Sequence, residues 1–111
     1  MRTEFIDPGR FRTELSLQQA ELTADGMGGH MQAWEEIGVV FARVEPLSAR
    51  AGFGASQTLE EATHRMTLRS RAGLRSGMRF VRGERAFAIL TAIDPDETGR
   101  YLVCTTKETG R

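Results

Sequence analysis

The sequence predicts a mainly β protein: a small β-barrel or sandwich of about six antiparallel strands, with a long loop carrying a short helix between the second and third strands. Several runs alternate with period two, which sends successive side chains to opposite faces of a sheet. Glycine, proline and aspartate clusters punctuate those runs at short intervals, as turns require. At 111 residues the chain has room for one domain, long enough to bury a core without disulfide or metal.

Residues 1–10 are expected to be a flexible N-terminal arm, and residues 11–111 a single barrel domain. Asp7-Pro8-Gly9 is a turn signal, and too little apolar material precedes it to pack independently. Phe11–Leu22 reads as the first strand, with Phe11, Leu15 and Leu17 toward the core and Thr13 and Gln19 in the same register. Thr23–His30 contains Gly26, Gly28 and Gly29 and is expected to be an irregular loop. Gln32–Ile37 leads into a second strand, Gly38–Glu45. Val39 and Phe41 share one of its faces, and Val40, Ala42 and Val44 the other. Trp34, just before it, is placed to close one end of a barrel.

Pro46 has no N–H for a ladder and ends that strand. From Leu47 to Ala62 no strand pattern appears. Ala49–Ala55 reads as flexible, and Ser56–Ala62 as a short helix with Ser56 at its N-cap. A connection this long in a small β domain is more often functional than not. Three further runs follow. In Thr63–Arg71, Met66 and Leu68 share a face with His64 and Ser70. In Gly77–Arg82, Met78 and Phe80 point the same way. In Arg85–Ile93, Phe87, Ile89 and Ile93 form one face while Ala86, Ala88, Leu90 and Ala92 form a second, also apolar, as a strand covered on both faces would be. Joined by a glycine-marked turn and by Gly83-Glu84, the three read as a β-meander with an arginine-rich outer face. A polar turn, Asp94–Arg100, leads to the last strand, Tyr101–Thr106, with Leu102 and Cys104 on one face and Tyr101 and Val103 on the other.

Formal net charge is zero, so no global attraction to polyanions follows. The charge is nevertheless uneven. Arg65, Arg69, Arg71, Arg75, Arg79, Arg82 and Arg85 face a single acid, Glu84, in that interval, while the first half and the Asp94–Glu97 turn hold most carboxylates. Such a division suits a protein that finds a register against copies of itself or a partner. Fourteen of the fifteen basic residues are arginine, a bias that a GC-rich genome would also produce. No apolar run approaches membrane-spanning length, and the acidic N-terminus is no signal peptide, so no membrane association is expected.

Chemistry is sparse. Two histidines and one cysteine lack metal-ligand spacing, so neither a metal nor a cofactor is expected. His30 and His64 read as structural or surface residues, and Cys104 as a small buried hydrophobe rather than a nucleophile. Asp94 and Asp96 flank Pro95 as turn residues rather than as an acid–base pair. Gly26-Met27-Gly28-Gly29 matches a phosphate loop only in its glycines. An enzyme would need a concave pocket gathering His64 with a carboxylate or Cys104. For the arginines, a solvated sheet face is the plain reading. Two functional ones compete with it: a small barrel that binds single-stranded nucleic acid, weakened by the lack of stacking aromatics between the arginines, and subunit contact with the acidic patches Glu35, Glu36, Glu60 and Glu61 of a neighbouring copy.

The order of features resembles the head-closure, or stopper, proteins of long-tailed bacteriophages. A first strand ends at Leu17-Gln18-Gln19, and a glycine loop leads to Trp34. A strand then closes on Val44-Glu45-Pro46 before a long variable loop. The best marker is Thr63-His64-Arg65-Met66-Thr67-Leu68-Arg69, followed by Gly77-Met78-Arg79-Phe80 and Arg85-Ala86-Phe87-Ala88-Ile89. The alanine-rich Ala86–Ala92 strand departs from the family, where larger residues are common. The match spans Phe11 to Thr106, and the composition also suits a gene transfer agent, a domesticated phage-like particle.

The resemblance implies a structural, non-enzymatic neck protein of a virion or phage-like particle, made in the bacterial host cytoplasm. It would form a homo-oligomeric ring, a hexamer with a dodecamer as the alternative. The head–tail adaptor would lie above it, a tail terminator or other tail protein below, and packaged double-stranded DNA in its channel. Leu47–Ala62 would be the channel-gating loop, with Arg50 and Phe53 nearest the axis and Gly52 and Gly54 allowing movement. Arg65, Arg69, Arg71 and Arg79, with Glu60 and Glu61, are the expected subunit or partner interface.

Overall fold

The computed structural model describes residues 6–24, 26–47 and 62–110. Six strands follow a short 3-10 turn, Pro8–Arg10: β1 Thr13–Ala24, β2 His30–Pro46, β3 His64–Arg69, β4 Arg79–Arg82, β5 Arg85–Ile93 and β6 Tyr101–Gly110. They close into one antiparallel barrel in the order β1-β2-β3-β6-β5-β4, with β4 returning to β1. The mainly β, six-stranded expectation is met. The long connection after β2, with its expected helix at 56–62 and flexible 49–55, lies outside the described residues apart from its ends.

The alternation seen in the sequence builds the core. Leu15 and Leu17 of β1, Val40 and Ala42 of β2, Met66 and Leu68 of β3, Phe80 of β4, Phe87 and Ile89 of β5 and Cys104 of β6 all point inward and are buried. Removing a leucine or phenylalanine side chain of this kind from water contributes roughly 1.5–3 kcal/mol each.

Only the second half of the expected meander is there: β4 and β5 pair across Gly83-Glu84, but β3 and β4 do not pair. β3 pairs with β2 and β6, whereas β4 pairs with β1 and β5. These two strands are three steps apart either way round the barrel, so they stand opposite each other. Residues 70–78 cross the barrel end, and Leu74 and Met78 plug it. Gly73 and Gly77, at φ 86° and 96°, make the turns of that crossing. Period-two patterning fixes which face a strand buries but not which strand lies beside it. The arginine row is therefore divided between opposite flanks.

Three register shifts interrupt the ladders: that between Ala86 and Phe87 leaves Thr109 as an extra residue of β6, and two others act on β1–β2 and on β5. One, between Leu17 and Gln18, leaves Ile37 as an extra residue of β2 opposite β1. The other, between Ile89 and Thr91, reverses the alternation of β5. Beyond it Ala92 packs against the core, and Ile93, expected to share a face with Phe87 and Ile89, is 59 % exposed on the outside. A β-bulge does this by inserting one unpaired residue. The second face of β5 is only half-buried at Ala86, Ala88 and Leu90, not fully covered.

Other bounds move as well. β2 begins eight residues before Gly38, at His30, and β1 runs on to Ala24, so only 26–29 connects them among the described residues. β6 continues past Thr106 to Gly110. Phe11 precedes β1 rather than opening it, because the 3-10 turn ends there. Its ring is half-buried outside the barrel, edge-on to Tyr101 at 5.8 Å. Trp34 does not close the barrel end: it pairs with Ala20 where β1 and β2 have left the body. Residues 18–24 and 30–36 thus form a two-stranded ribbon continuing beyond the barrel, in a molecule of 53 × 32 × 26 Å.

Candidate assembly surfaces

Three features are built where strands leave the barrel or face outward: the ribbon, the lock at its base and a groove on the opposite flank.

The ribbon, hereafter the arm, has two faces. Gln18, Ala20, Leu22, Gln32, Trp34 and Glu36 continue the outer surface of the barrel, and Gln19, Glu21, Ala33 and Glu35 continue its lining. Leu22 is 66 % exposed. From Thr13 to Ala42 the sequence has no lysine or arginine, yet it has five acids: Glu14, Glu21, Asp25, Glu35 and Glu36. Glu36 accepts from Ser16 Oγ at 2.6 Å and Glu35 from Gln19 Nε2 at 3.3 Å, so each is held by a neutral donor. Among the described residues no cation pairs with Glu21, Glu35 or Glu36.

At the arm's base, Arg71 Nη2 donates to the carbonyl of Ile37, the extra residue of the bulge, at 2.7 Å, and its buried Nε has no acceptor among the described residues. The guanidinium lies directly over Gly38, where a β-carbon would overlap it. Glycine is needed here for close approach. On the adjoining strand, Arg79 Nε donates to Gln18 Oε1 at 2.8 Å, and its guanidinium stacks 4.2 Å from the Trp34 ring centroid. Burial pulls the Arg79 pKa down from its ordinary value. Arg71 and Arg79 are thus tied to the arm's root.

Across the barrel, the outer faces of β2, β3, β6 and β5 form a groove of about 470 Å³ against Ile6 and Phe11. Ile93 and Val103 lie among its lining threonines, and the β5 bulge turns Thr91 and Ile93 toward it. Arg43, Arg65, Glu45 and Asp7 line it together, with Glu45 opposite Arg65 in the β2–β3 register, and Arg10 and Arg12 gather with Arg43 nearby. Asp7 caps the 3-10 turn by accepting from Gly9 N at 2.9 Å, and Glu45 pairs with Arg43 at 3.3 Å. Arg69 is exposed on the outside of β3, beside the exposed Val39 and Phe41 of β2.

At the end of the barrel opposite the arm, the long connection is tied at its base. Leu47 N donates to Thr63 O and Thr63 N to Thr106 O, both at 2.8 Å, and Thr63 Oγ1 accepts from Glu108 N. His64 begins β3 on the inner face, its ring edge-on to Phe87 at 5.1 Å and its Nδ1 2.9 Å from Thr63 Oγ1. Burial lowers its pKa from 6.5; Glu108 acts in the opposite sense and Arg85 in the same. Arg85 and Glu108 form a two-point ion pair, at 2.8 and 3.2 Å.

The chemistry weighed in the sequence falls into structural positions. Cys104 is buried, which pushes its thiol up to about 12. The Asp94 and Asp96 carboxylates accept hydrogen bonds from Asp96 N, Gly99 N and Thr98 within their own turn. Hydrogen bonds from Thr98 hold Asp96 below the usual carboxylate range. Among the described residues no three His, Cys, Asp or Glu side chains gather as a metal site would need, and no helix is long and apolar enough to cross a membrane. Of the expected site residues, Arg65, Arg69, Arg71 and Arg79 stand as described above. Arg50, Gly52, Phe53, Gly54, Glu60 and Glu61 lie outside the described residues.

The class the fold defines is a closed, six-stranded antiparallel barrel with a two-stranded ribbon projecting from it. The particular family is shown by comparison. The phage head completion protein family matches residues 6–109, and the chain belongs to that family. The match begins at Ile6, so it takes in the turn that lines the groove. The chain is 31 % identical to a chain of a solved structure described as the virion of a native gene transfer agent particle. That match covers 92 % of this chain and 96 % of the other, with a TM-score of 0.65. It also shares its fold with protein SF1141 from Shigella flexneri 2a, at 20 % identity over 92 % of this chain and 96 % of that one, with a TM-score of 0.70. No curated protein matches the chain. The resemblance read from the ordered motifs is thereby confirmed.

Proposed function

We propose that this chain is a neck protein of a phage-like particle: a ring of copies below the portal and adaptor that retains packaged DNA and presents the docking surface for the tail. The observation that carries the proposal is the 31 % identity, over nearly the full length of both chains, to a component of a gene transfer agent virion. The barrel's construction supports it. Closure protects the body's edges, while the arm and the groove leave opposite flanks available for neighbours. The work of the protein in this account is mechanical, and it transforms no substrate.

In the finer part of the proposal, the connection 47–62 closes the channel and Arg50 and Phe53 form the constriction. Its two ends are joined by the Leu47–Thr63 bond, so a change in the connection need not disturb the barrel. Removing the gene from the producing strain is expected to leave heads that lack tails and lose their DNA, measured as nuclease-protected DNA per head. Complete, DNA-filled particles made without the chain would overturn the proposal. Deleting Ala49–Ala55 should produce heads that leak DNA or join tails poorly, and unchanged retention would refute the gating part alone.

A further inference from the structure

We infer that the arm of one copy docks in the arginine-flanked groove of the next copy, and that this head-to-tail contact builds the ring. The inference rests on the proposed ring and adds which surfaces make it.

Three observations carry it. First, a two-stranded ribbon with no third strand is at best marginally stable in water. Beyond the Gln18–Glu36 pair, six residues of each strand, 19–24 and 30–35, at about 3.3 Å per residue carry the arm roughly 20 Å from the body. Its exposed Leu22 lies with Glu36 on one face, and Glu21 and Glu35 lie on the other; these acids meet no cation among the described residues, and both faces are surfaces that a partner would cover. Secondly, the charges are complementary. The arm lacks lysine and arginine; in the groove's own lining Arg43 and Arg65 balance Asp7 and Glu45, and Arg10 and Arg12 beside it supply the excess positive charge. The groove's Ile93 and Val103 offer apolar contact for Leu22.

Thirdly, the surfaces cannot satisfy each other within one copy. The arm leaves the barrel at the His30–Glu36 end of β2, whereas the groove begins seven residues further on, at Arg43 of that strand, and extends away over β3, β6 and β5. A contact between different surfaces of identical subunits is heterologous, so it propagates until the rotation closes a ring. The Arg71–Ile37 bond over Gly38 then has a positioning role: it holds the arm's angle at the bulge, and that angle sets the rotation between neighbours.

The test uses particles produced with the full chain carrying Leu22→Cys and Ile93→Cys, treated with a short bis-maleimide. Cys104 is buried and does not compete for the reagent. A ladder of covalent oligomers ending at a single closed species is expected, with neither single variant cross-linking alone. Glu21→Arg with Glu35→Arg and Glu36→Arg should abolish the ladder, as should Arg43→Glu with Arg65→Glu. Co-producing these two charge-reversed chains should restore it, because each arm then meets an opposite groove; restoration also shows that both chains fold. If the chain is present in particles as an oligomer but gives no ladder and no rescue, the arm–groove contact is wrong while the neck assignment stands. Complete particles that lack the chain would remove both.

Discussion

Two of the barrel's six strands run on to form the arm, and their two halves obey different rules. Up to Leu17, β1 lies between β2 and β4 and buries Leu15 and Leu17; beyond Gln18 it has β2 alone, and its side chains meet solvent. The first half is held by a core shared among six strands, and the second by one ladder and by the lock at its root. The body's stability is therefore shared through its core, whereas the arm has only its own ladder and the contacts at its root.

The comparison can be broken most sharply in the core. Phe80 is fully buried, and Phe80→Ala should destabilise the protein by about 3–5 kcal/mol in a denaturant titration. Leu22→Ala, at an exposed site, should stay within about 0.5 kcal/mol of the parent while weakening assembly. Equal losses at the two sites would mean that the arm is part of the body's cooperative unit.

The next largest effect belongs to the junction. Gly38→Ala puts a methyl group where the Arg71 guanidinium lies; the end of that flexible side chain swings away, so the cost is at most that of losing its bond to the Ile37 carbonyl. Arg71→Ala removes the donor to the Ile37 carbonyl, at a cost of about 1–3 kcal/mol where that carbonyl stays dry. In the double variant the methyl meets no guanidinium, so the two losses should not add; additive losses would show that the groups do not interact.

Smaller effects lie at the far end of the barrel. His64 is harder to protonate in the folded chain than its ordinary 6.5, so the unfolded chain takes up the proton first as pH falls. Stability contributed by neutral His64 is present above 6.5 and lost as pH falls through the lowered folded value. Melting temperature should drop on the acid side, and His64→Gln should flatten that slope. Smallest of all is the exposed Arg85–Glu108 pair: Arg85→Ala should lower the melting temperature slightly, and high salt should erase the difference.

Sequence patterning discloses these regions unequally. Alternation identified Arg85–Ile93 with its observed bounds and placed Leu15, Leu17, Met66, Leu68 and Phe80 inside. It could not show that β3 and β4 stand on opposite sides, since pairing depends on how a nine-residue crossing spans the barrel end. Nor could it show the bulge that turns Ile93 outward, because one unpaired residue leaves composition untouched. The arm was hidden by its own polarity: Gln18–Glu36 lacks a buried face, and its glycines suggested a loop. The missing cations from Thr13 to Ala42 were the available signal that this stretch is one acidic unit. Arg71 stood out only as one arginine in a row, and nothing in the sequence linked it to Gly38, thirty-three positions earlier.

A reconstruction of the particle neck tests the central claim most directly. The account predicts a ring of copies of this chain between the portal side of the head and the tail, each barrel touching the next through arm and groove. Complete tailed particles whose neck density contains no copy of this barrel would contradict it.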